Sequence, residues 1–351
     1  MGLREIYGHE ALLSRLGGAL ASSRFPQAAL FVGPQGVGKQ RIALWVAQGL
    51  LCEQGPGAPC GTCGPCHRVM GLKHPDLHWF VPIPRPKASD PGKQIDEARD
   101  ALAALWEERR QTGRWGPADG MSSHALASVR LLQRIVALTP FEARRKVIIL
   151  GDAERLVVQE ASQEAANAIL KVLEEPPADT TVILTAADPQ ALLPTIRSRV
   201  VPVRVSRVSD DHVRASLRDL EPELDARALE RRAVLAEGCV GQALSSDDDA
   251  DGPDLATEEL LRSIHRGGVA WATRALAQMP WSARGDFSAT LDALAMRIRA
   301  GLEAESGRQG ARLDRWLTAL ERVDAAREDA QANVNPQLTL AVLARQLEGL
   351  M

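Results

Sequence analysis

Apolar residues along the chain fall into two rhythms. Short continuous runs are bounded by turn-forming or charged residues and predict buried strands. They are "AALFV" at Ala28–Val32, "KVIIL" at Lys146–Leu150, "TTVILTA" at Thr180–Ala186 and "VVPVRV" at residues 200–205. Between them, "RIALWVAQGLL" and "EAANAILKVLEE" carry helical spacing. In the second, Ala166, Ile169, Leu170 and Leu173 fall at i, i+3, i+4 and i+7, and Pro176 and Pro177 stop the helix. Strands separated by helices predict an α/β domain with a mostly parallel sheet.

Two stretches depart from this rhythm. Residues 82–123 open with "PIPRPKASDPGK", hold one short charged helical pattern and run out through "QTGRWGPADGMSS". That composition predicts a surface insertion, partly disordered. After about Val205 the strand runs cease. Helical patterns reach residue 244, and the acidic, turn-rich "SSDDDADGPD" at 245–254 predicts a linker. The remainder reads as wholly helical, with Trp271, Trp281 and Trp316 as core anchors and no convincing internal repeat. The expected organisation is an α/β domain over 1–205, a small helical domain over 206–244 and an all-α domain over 255–351.

Bulk composition adds little. The chain has 351 residues, 45% of them hydrophobic and 25% charged, as in ordinary soluble proteins. Its net charge of −3 neither requires nor excludes nucleic acid, because a local basic patch is invisible in the total. The N-terminus lacks the apolar core of a signal peptide, and no apolar run is long enough to span a membrane. The expectation is a cytosolic (cytoplasmic) chain with no membrane role.

The cysteines change the picture. Four of the five lie at Cys52, Cys60, Cys63 and Cys66, while Cys239 stands alone. The spacing Cys52-x₇-Cys60-x₂-Cys63-x₂-Cys66 brings four thiolates within reach of one tetrahedral Zn²⁺, and the intervening Gly and Pro permit tight turns. His67 is a neighbouring alternative ligand, and a redox C-x-x-C is a second possibility. Four cysteines in so short a stretch favour a closed structural zinc module over residues 52–66.

A second motif is "GPQGVGKQ", following the first strand and opening a helix. It comprises Gly33, Gly36, Val37, Gly38, Lys39 and Gln40. Backbone N–H groups from Gly36 to Lys39 are placed to cradle phosphate, with Lys39 as a point charge. The pattern G-x-x-x-x-G-K ordinarily closes on Ser or Thr, whose hydroxyl ligates Mg²⁺. Gln40 is a poor replacement for that hydroxyl. Phosphate binding survives this reading, and metal positioning is put in doubt.

The stretches "KVIILGDAERL" and "EAANAILKVLEEPPADTTVILTAADPQALLPTIRSRV" resemble the clamp-loader branch of the AAA+ ATPases, and within it the delta-prime family of bacterial DNA polymerase III. The cysteine module after the glycine-loop helix, followed by "HPDLHWF", fits that placement. The resemblance covers roughly residues 4–81 and 124–245. It implies a P-loop AAA+ α/β domain with an inserted zinc module, a helical lid and an all-α collar domain for assembly.

The family pattern is informative where this chain departs from it. In active relatives the strand ends Asp-Glu, and here those places hold Gly151 and Asp152. The polar sensor residue falls on Ala187, and the lid's sensor arginine falls on Gly241. With Gln40, these departures remove separate parts of a hydrolytic site. What stays is Ser198-Arg199, matching the family's Ser-Arg-Cys motif with Val200 for Cys. In the family this arginine enters a neighbouring subunit's nucleotide site in trans, and Arg197 is an adjacent alternative. The bland reading of Arg199 is a surface ion pair.

The resemblance therefore implies a non-hydrolysing or weakly hydrolysing clamp-loader subunit in DNA replication, part of the DNA polymerase III holoenzyme. Its implied partners are the clamp-loader ATPase (tau/gamma), the delta subunit and the sliding clamp, with primed DNA touched indirectly. Binding of ATP or ADP is left open. The alternative is an active AAA+ ATPase motor subunit, and a zinc-dependent nucleic-acid binder is a third, less favoured reading. The helical stretch at 123–138 carries Arg130 and Arg134, placed for DNA phosphates or simply for solvent.

Overall fold

The structure is a computed structural model and describes residues 5–113, 122–156, 164–245, 251–278, 286–305, 311–331 and 334–350. The chain divides into two compact units, Met1–Ser245 and Ser246–Met351.

The first unit is built on one five-stranded sheet. Its strands are β1 (Ala28–Val32), β2 (Leu77–Phe80), β3 (Lys146–Leu150), β4 (Thr180–Ala186) and β5 (Val201–Arg204), in the order β2-β3-β4-β1-β5. Every pairing is parallel, with Leu30 opposite Leu184 and Ile149 opposite Ile183. Every residue of β3 and β4 is buried. That explains their unbroken apolar runs, because a parallel sheet is covered on both faces. β5 is an edge strand with mostly exposed residues and carries Pro202, which an interior strand would not tolerate. β2 is the strand that the apolar rhythm does not mark, since its four residues include a histidine.

Two buried charges fix the loop leading into β3. Lys146 is buried, and its Nζ donates to the carbonyls of Ile135, Val136 and Leu138, closing the end of helix Leu126–Val136. The Asp76 carboxylate accepts the backbone N–H groups of Phe141, Glu142 and Ala143 at 2.5–2.8 Å. Burial pushes Asp76 upward, but these three donors outweigh it and hold its carboxyl below the ordinary value.

The described part of the insertion carries more helix than its composition predicts, and residues 114–121 lie outside the described residues. The charged pattern read as one short helix is a helix of 22 residues, Pro91–Thr112. Asp90 caps its start by accepting from the Lys93 N–H, and Gly113 ends it with a left-handed φ of 63°. The charges hide a narrow buried row of Ile95, Ala98, Leu102 and Arg109. At its base, Ile83 and Ser123 exchange both backbone hydrogen bonds, so the excursion leaves and returns at one point.

Three further helices of this unit, Asp210–Leu220, Ala226–Leu235 and Val240–Ser245, share a small core of Val208, Val213, Leu217, Leu229, Ala233, Ala236 and Ala243.

In the second unit the described helices are Asp251–Arg266, Gly268–Ala277, Asp286–Glu305, Ala311–Gln331 and Pro336–Leu347. The first begins inside the stretch read as linker. The core centres on Phe287, Leu291, Leu294, Ile298, Val323, Leu340 and Leu343. Trp271 and Trp316 pack at its border instead of its centre. The Trp271 indole N–H donates to Glu348, which keeps that ring at the surface. Trp281 lies outside the described residues.

Candidate functional site

β1 delivers the chain into the glycine loop at the carboxyl end of the sheet, where open α/β sheets bind ligands. A Cβ on Gly33 would stand 2.1 Å from the Val205 carbonyl oxygen, so only glycine passes there. Gly36 and Gly38 have φ of 79° and 100°, in the left-handed region. Lys39 then opens the helix Lys39–Leu50. Its Nζ arches back and donates to the carbonyls of Gly33 and Pro34, both at 2.8 Å, leaving one ammonium donor uncommitted by these bonds. Burial lowers the Lys39 pKa, and the nearby Glu154 and Asp152 carboxylates oppose that shift. Val37 is buried, and its carbonyl pairs with the His9 ring at 3.0 Å. Among the described residues, no protein acceptor takes the backbone N–H of Gly36, Gly38 or Lys39. The loop thus retains the form of a phosphate cradle.

The metal side of the site is built differently. The Gln40 Nε2 donates to Asp152 Oδ1 at 3.1 Å. A Cβ added to Gly151 would lie 2.8 Å from Gln40 Cδ and Oε1. The amide therefore lies against Gly151, in the space that a side chain there would need. Asp152 has a positive φ of 52°, and its N–H donates to Thr185 Oγ1. The Gly151 carbonyl accepts from His124 Nε2 at 2.7 Å. His124 is fully buried, which pushes its pKa down to about 4, so the neutral ring is the donor. A P-loop magnesium ion needs a hydroxyl and a free acid here, and these residues do not fit it.

Two more places named from the sequence lie in the same cluster. Ala187 contributes only its backbone N–H, donated to Glu154 Oε1 at 3.0 Å, and burial raises the Glu154 pKa. Gly241 touches the loop with its backbone. Its N–H donates to the Gly36 carbonyl at 2.8 Å, and a Cβ there would meet Gly36 Cα and O at 2.9 Å. No arginine side chain has room to start from that position.

Residues outside the motifs complete the cluster. Glu154 is the carboxylate with the largest effect on Lys39. Arg109, from the inserted helix, stacks on the Trp79 ring at 4.2 Å and acts electrostatically on Asp152. Its spacing of seven from Leu102 on the buried row was the available signal. It is masked by the charges on either side.

Ser198 and Arg199 form a separate corner after the short helix Pro194–Arg197. The Arg199 Nε donates to Glu174 Oε1 at 2.9 Å, and a terminal nitrogen lies 2.6 Å from the same oxygen. Its other terminal nitrogen donates to the Thr195 carbonyl at 2.8 Å and to Ser198 Oγ at 3.2 Å. The side chain is 32% exposed, so the guanidinium is held yet reachable. Val200 is buried, where an apolar residue serves as well as cysteine. Arg197 instead bonds Gln190.

The four cysteines converge. Cys52 follows the glycine-loop helix, while Cys63 and Cys66 sit at the start of helix Gly64–Met70. Their Sγ atoms all lie within 4.8 Å of one another, with Cys52–Cys63 and Cys60–Cys66 each at 3.9 Å. Thiolates about 2.3 Å from a tetrahedral ion stand about 3.8 Å apart, so the set fits zinc. Cys60 is pulled down to about 6 by the Thr62 and Cys63 N–H groups, and burial pushes Cys66 up. His67 is exposed and outside the cluster. Arg130 and Arg134 are exposed on their helix.

The family model described as "DNA polymerase III, delta subunit" matches residues 8–209, a span holding the glycine loop, the cysteine cluster, all five strands and Arg199. The chain belongs to the DNA polymerase III delta/delta-prime clamp-loader family. It is 32% identical over 235 residues to the delta-prime subunit of Pseudomonas aeruginosa, covering 65% of this chain and 57% of that one. The delta-prime subunit of Bacillus subtilis is 32% identical over 181 residues, covering 52% and 42%. The tau subunit of Escherichia coli is 30% identical over 251 residues, covering 70% of this chain and 32% of the relative. The chain thus spans about a third of the length of the tau relatives it matches. Among the described residues, no helix is long and apolar enough to cross a membrane.

Proposed function

We propose that this chain is a delta-prime-type clamp-loader subunit of DNA replication that serves a neighbour's ATPase site without hydrolysing ATP appreciably itself. The observation that carries the reading is the contrast between two clusters. At the glycine loop the metal's place is filled and the sensor positions are Ala187 and Gly241. At Ser198-Arg199 a guanidinium is fixed in place by its own chain and remains partly exposed. Glu174 holds that charge as a phosphate group would, and an incoming γ-phosphate would compete for it. The cysteine cluster, with all four ligands from the protein, is a structural Zn²⁺ module and not a catalytic one. The tau/gamma ATPase and delta subunits are the partners this reading requires.

The test is reconstitution of the loader with Arg199→Ala protein. The variant should fold, melt like the wild type and assemble, because a partly exposed ion pair contributes little to stability. ATP turnover at the one neighbouring site should fall by roughly 10³-fold or more, as for arginine fingers generally. Lysine should rescue poorly, lacking the planar fork. Wild-type turnover in an assembled mutant complex would refute the role. The motor-subunit reading is supported by the long match to tau, and ATP turnover by the isolated chain separates the two.

A further inference from the structure

We infer that the carboxamide of Gln40 stands in for the divalent cation of the P-loop site, so that this loop takes a nucleoside polyphosphate free of metal. The inference rests on the phosphate-cradle reading of residues 33–39 and is independent of the role of Arg199.

Two of the departures in this site are one coupled change. Gln40 is the position of the metal's hydroxyl ligand, and Gly151 is the position of its acid. The structure brings them into contact, because a Cβ at Gly151 would lie 2.8–2.9 Å from all three polar-end atoms of Gln40. A side chain at 151 would displace the amide from this position, and glycine at 151 leaves it room. The Gln40 Nε2 then occupies Asp152 Oδ1, the remaining carboxylate on this side. A neutral N–H donor thus sits on the carboxylate where a cation would otherwise neutralise it.

Two cations act electrostatically on the carboxylate that this amide occupies. Lys39 has two donors spent on its own loop. Arg109 is buried against Trp79. Its Nη1 has no hydrogen-bond partner among the described residues. Resident cations and the free N–H groups of Gly36, Gly38 and Lys39 can together accept phosphate charge without an ion. The opposing possibility is that Gln40 Oε1, which is buried and lacks a donor, ligates a metal itself.

These alternatives separate cleanly in thermal melting of the full chain with ATP, once in excess EDTA and once with Mg²⁺. The wild type should gain the same Tm shift in both, and Lys39→Ala should gain none. Gln40→Thr and Gly151→Asp alone should each remain indifferent to Mg²⁺, the first lacking the acid and the second lacking the hydroxyl. Only the Gln40→Thr/Gly151→Asp pair should give a larger shift with Mg²⁺ than without. A wild-type shift that requires Mg²⁺ overturns the inference, as does no shift under either condition. A folded double variant that ignores Mg²⁺ also overturns it. Should the pair fail to fold, the wild-type arms decide. None of these outcomes bears on whether Arg199 acts in trans.

Discussion

Replacing Gly241 by alanine should weaken the protein, although alanine is ordinarily the better helical residue. Gly241 lies in helix Val240–Ser245, where the intrinsic preference for alanine is worth about 1 kcal/mol. Against this stands a steric cost. The new methyl would sit 2.9 Å from Gly36 Cα and carbonyl oxygen, which are backbone atoms with no rotamer to yield. Overpacking of this kind costs about 1–3 kcal/mol, and separating the segments also loses the Gly241 N–H to Gly36 carbonyl bond, worth about 0.5–1.5 kcal/mol. The net expectation is a loss of roughly 1–3 kcal/mol, or about 2–12 °C in Tm for a unit of this size. Gly18→Ala is the matched control. Gly18 lies in helix Glu10–Ala21 with nothing within 4 Å of its Cβ position, so the same change there should stabilise by up to about 1 kcal/mol. Scanning calorimetry on the two variants gives the comparison directly. If Gly241→Ala melts at or above the wild type, the seat of helix Val240–Ser245 on the glycine loop is wrong. Gly241→Arg should be worse than alanine and should gain no nucleotide affinity, since the position offers no path for the side chain.

The cysteine cluster should hold one Zn²⁺ per chain by elemental analysis, and Cys63→Ser should release it and lower Tm; metal-free wild-type protein of unchanged stability would dispose of the module. Acid should destabilise the fold through His124, whose folded pKa of about 4 lies below the unfolded value of about 6.5. Between those values only the unfolded chain takes the proton, so stability falls with falling pH by up to about 1.4 kcal/mol per unit and is flat above pH 6.5. Urea melts of wild type and His124→Asn across that window should differ in slope, and parallel profiles would count against it. Asp76 acts lower on the scale: its depressed pKa gives stability that is present above about pH 4 and lost as pH falls through the folded value. Asp76→Asn should flatten that acid limb in the same melts.

Much of the fold was legible because burial on both faces leaves an unbroken apolar signal. β1, β3 and β4 stand out for that reason, and the glycine loop and cysteine spacing carry their geometry in their spacing. β2 was not legible, since four residues with His78 among them give no rhythm. The inserted helix was read as shorter than it is because its buried row is only one residue wide and ends in Arg109. In the site, single positions such as Gln40 and Gly151 could be recognised as departures. Their contact could not, because they are far apart in the chain and meet only through the packing of a helix on a strand end. The same holds for Gly36 and Gly241, where the informative feature is a missing side chain on each.

The inserted helix also has a bearing on aggregation. In the ladder between β2 and β3, the carbonyls of Asp76 and Phe80 point toward β3, where Val147 and Gly151 take them. Alternation along the strand turns the Trp79 carbonyl outward, toward the open side of the sheet, and the Trp106 indole N–H of the insertion occupies it at 2.7 Å. An outer strand with unpaired backbone groups is a template for another chain, and covering it is one of the ways proteins prevent that. β5 at the opposite border carries Pro202 and Arg204, which discourage pairing without help. The excursion between Ile83 and Ser123 could be cut out on paper with a short turn, since its ends already touch. In the cell such a trimmed chain would expose Trp79 and a receptive strand together, and it should accumulate as insoluble multimers even if the trimmed monomer still folds.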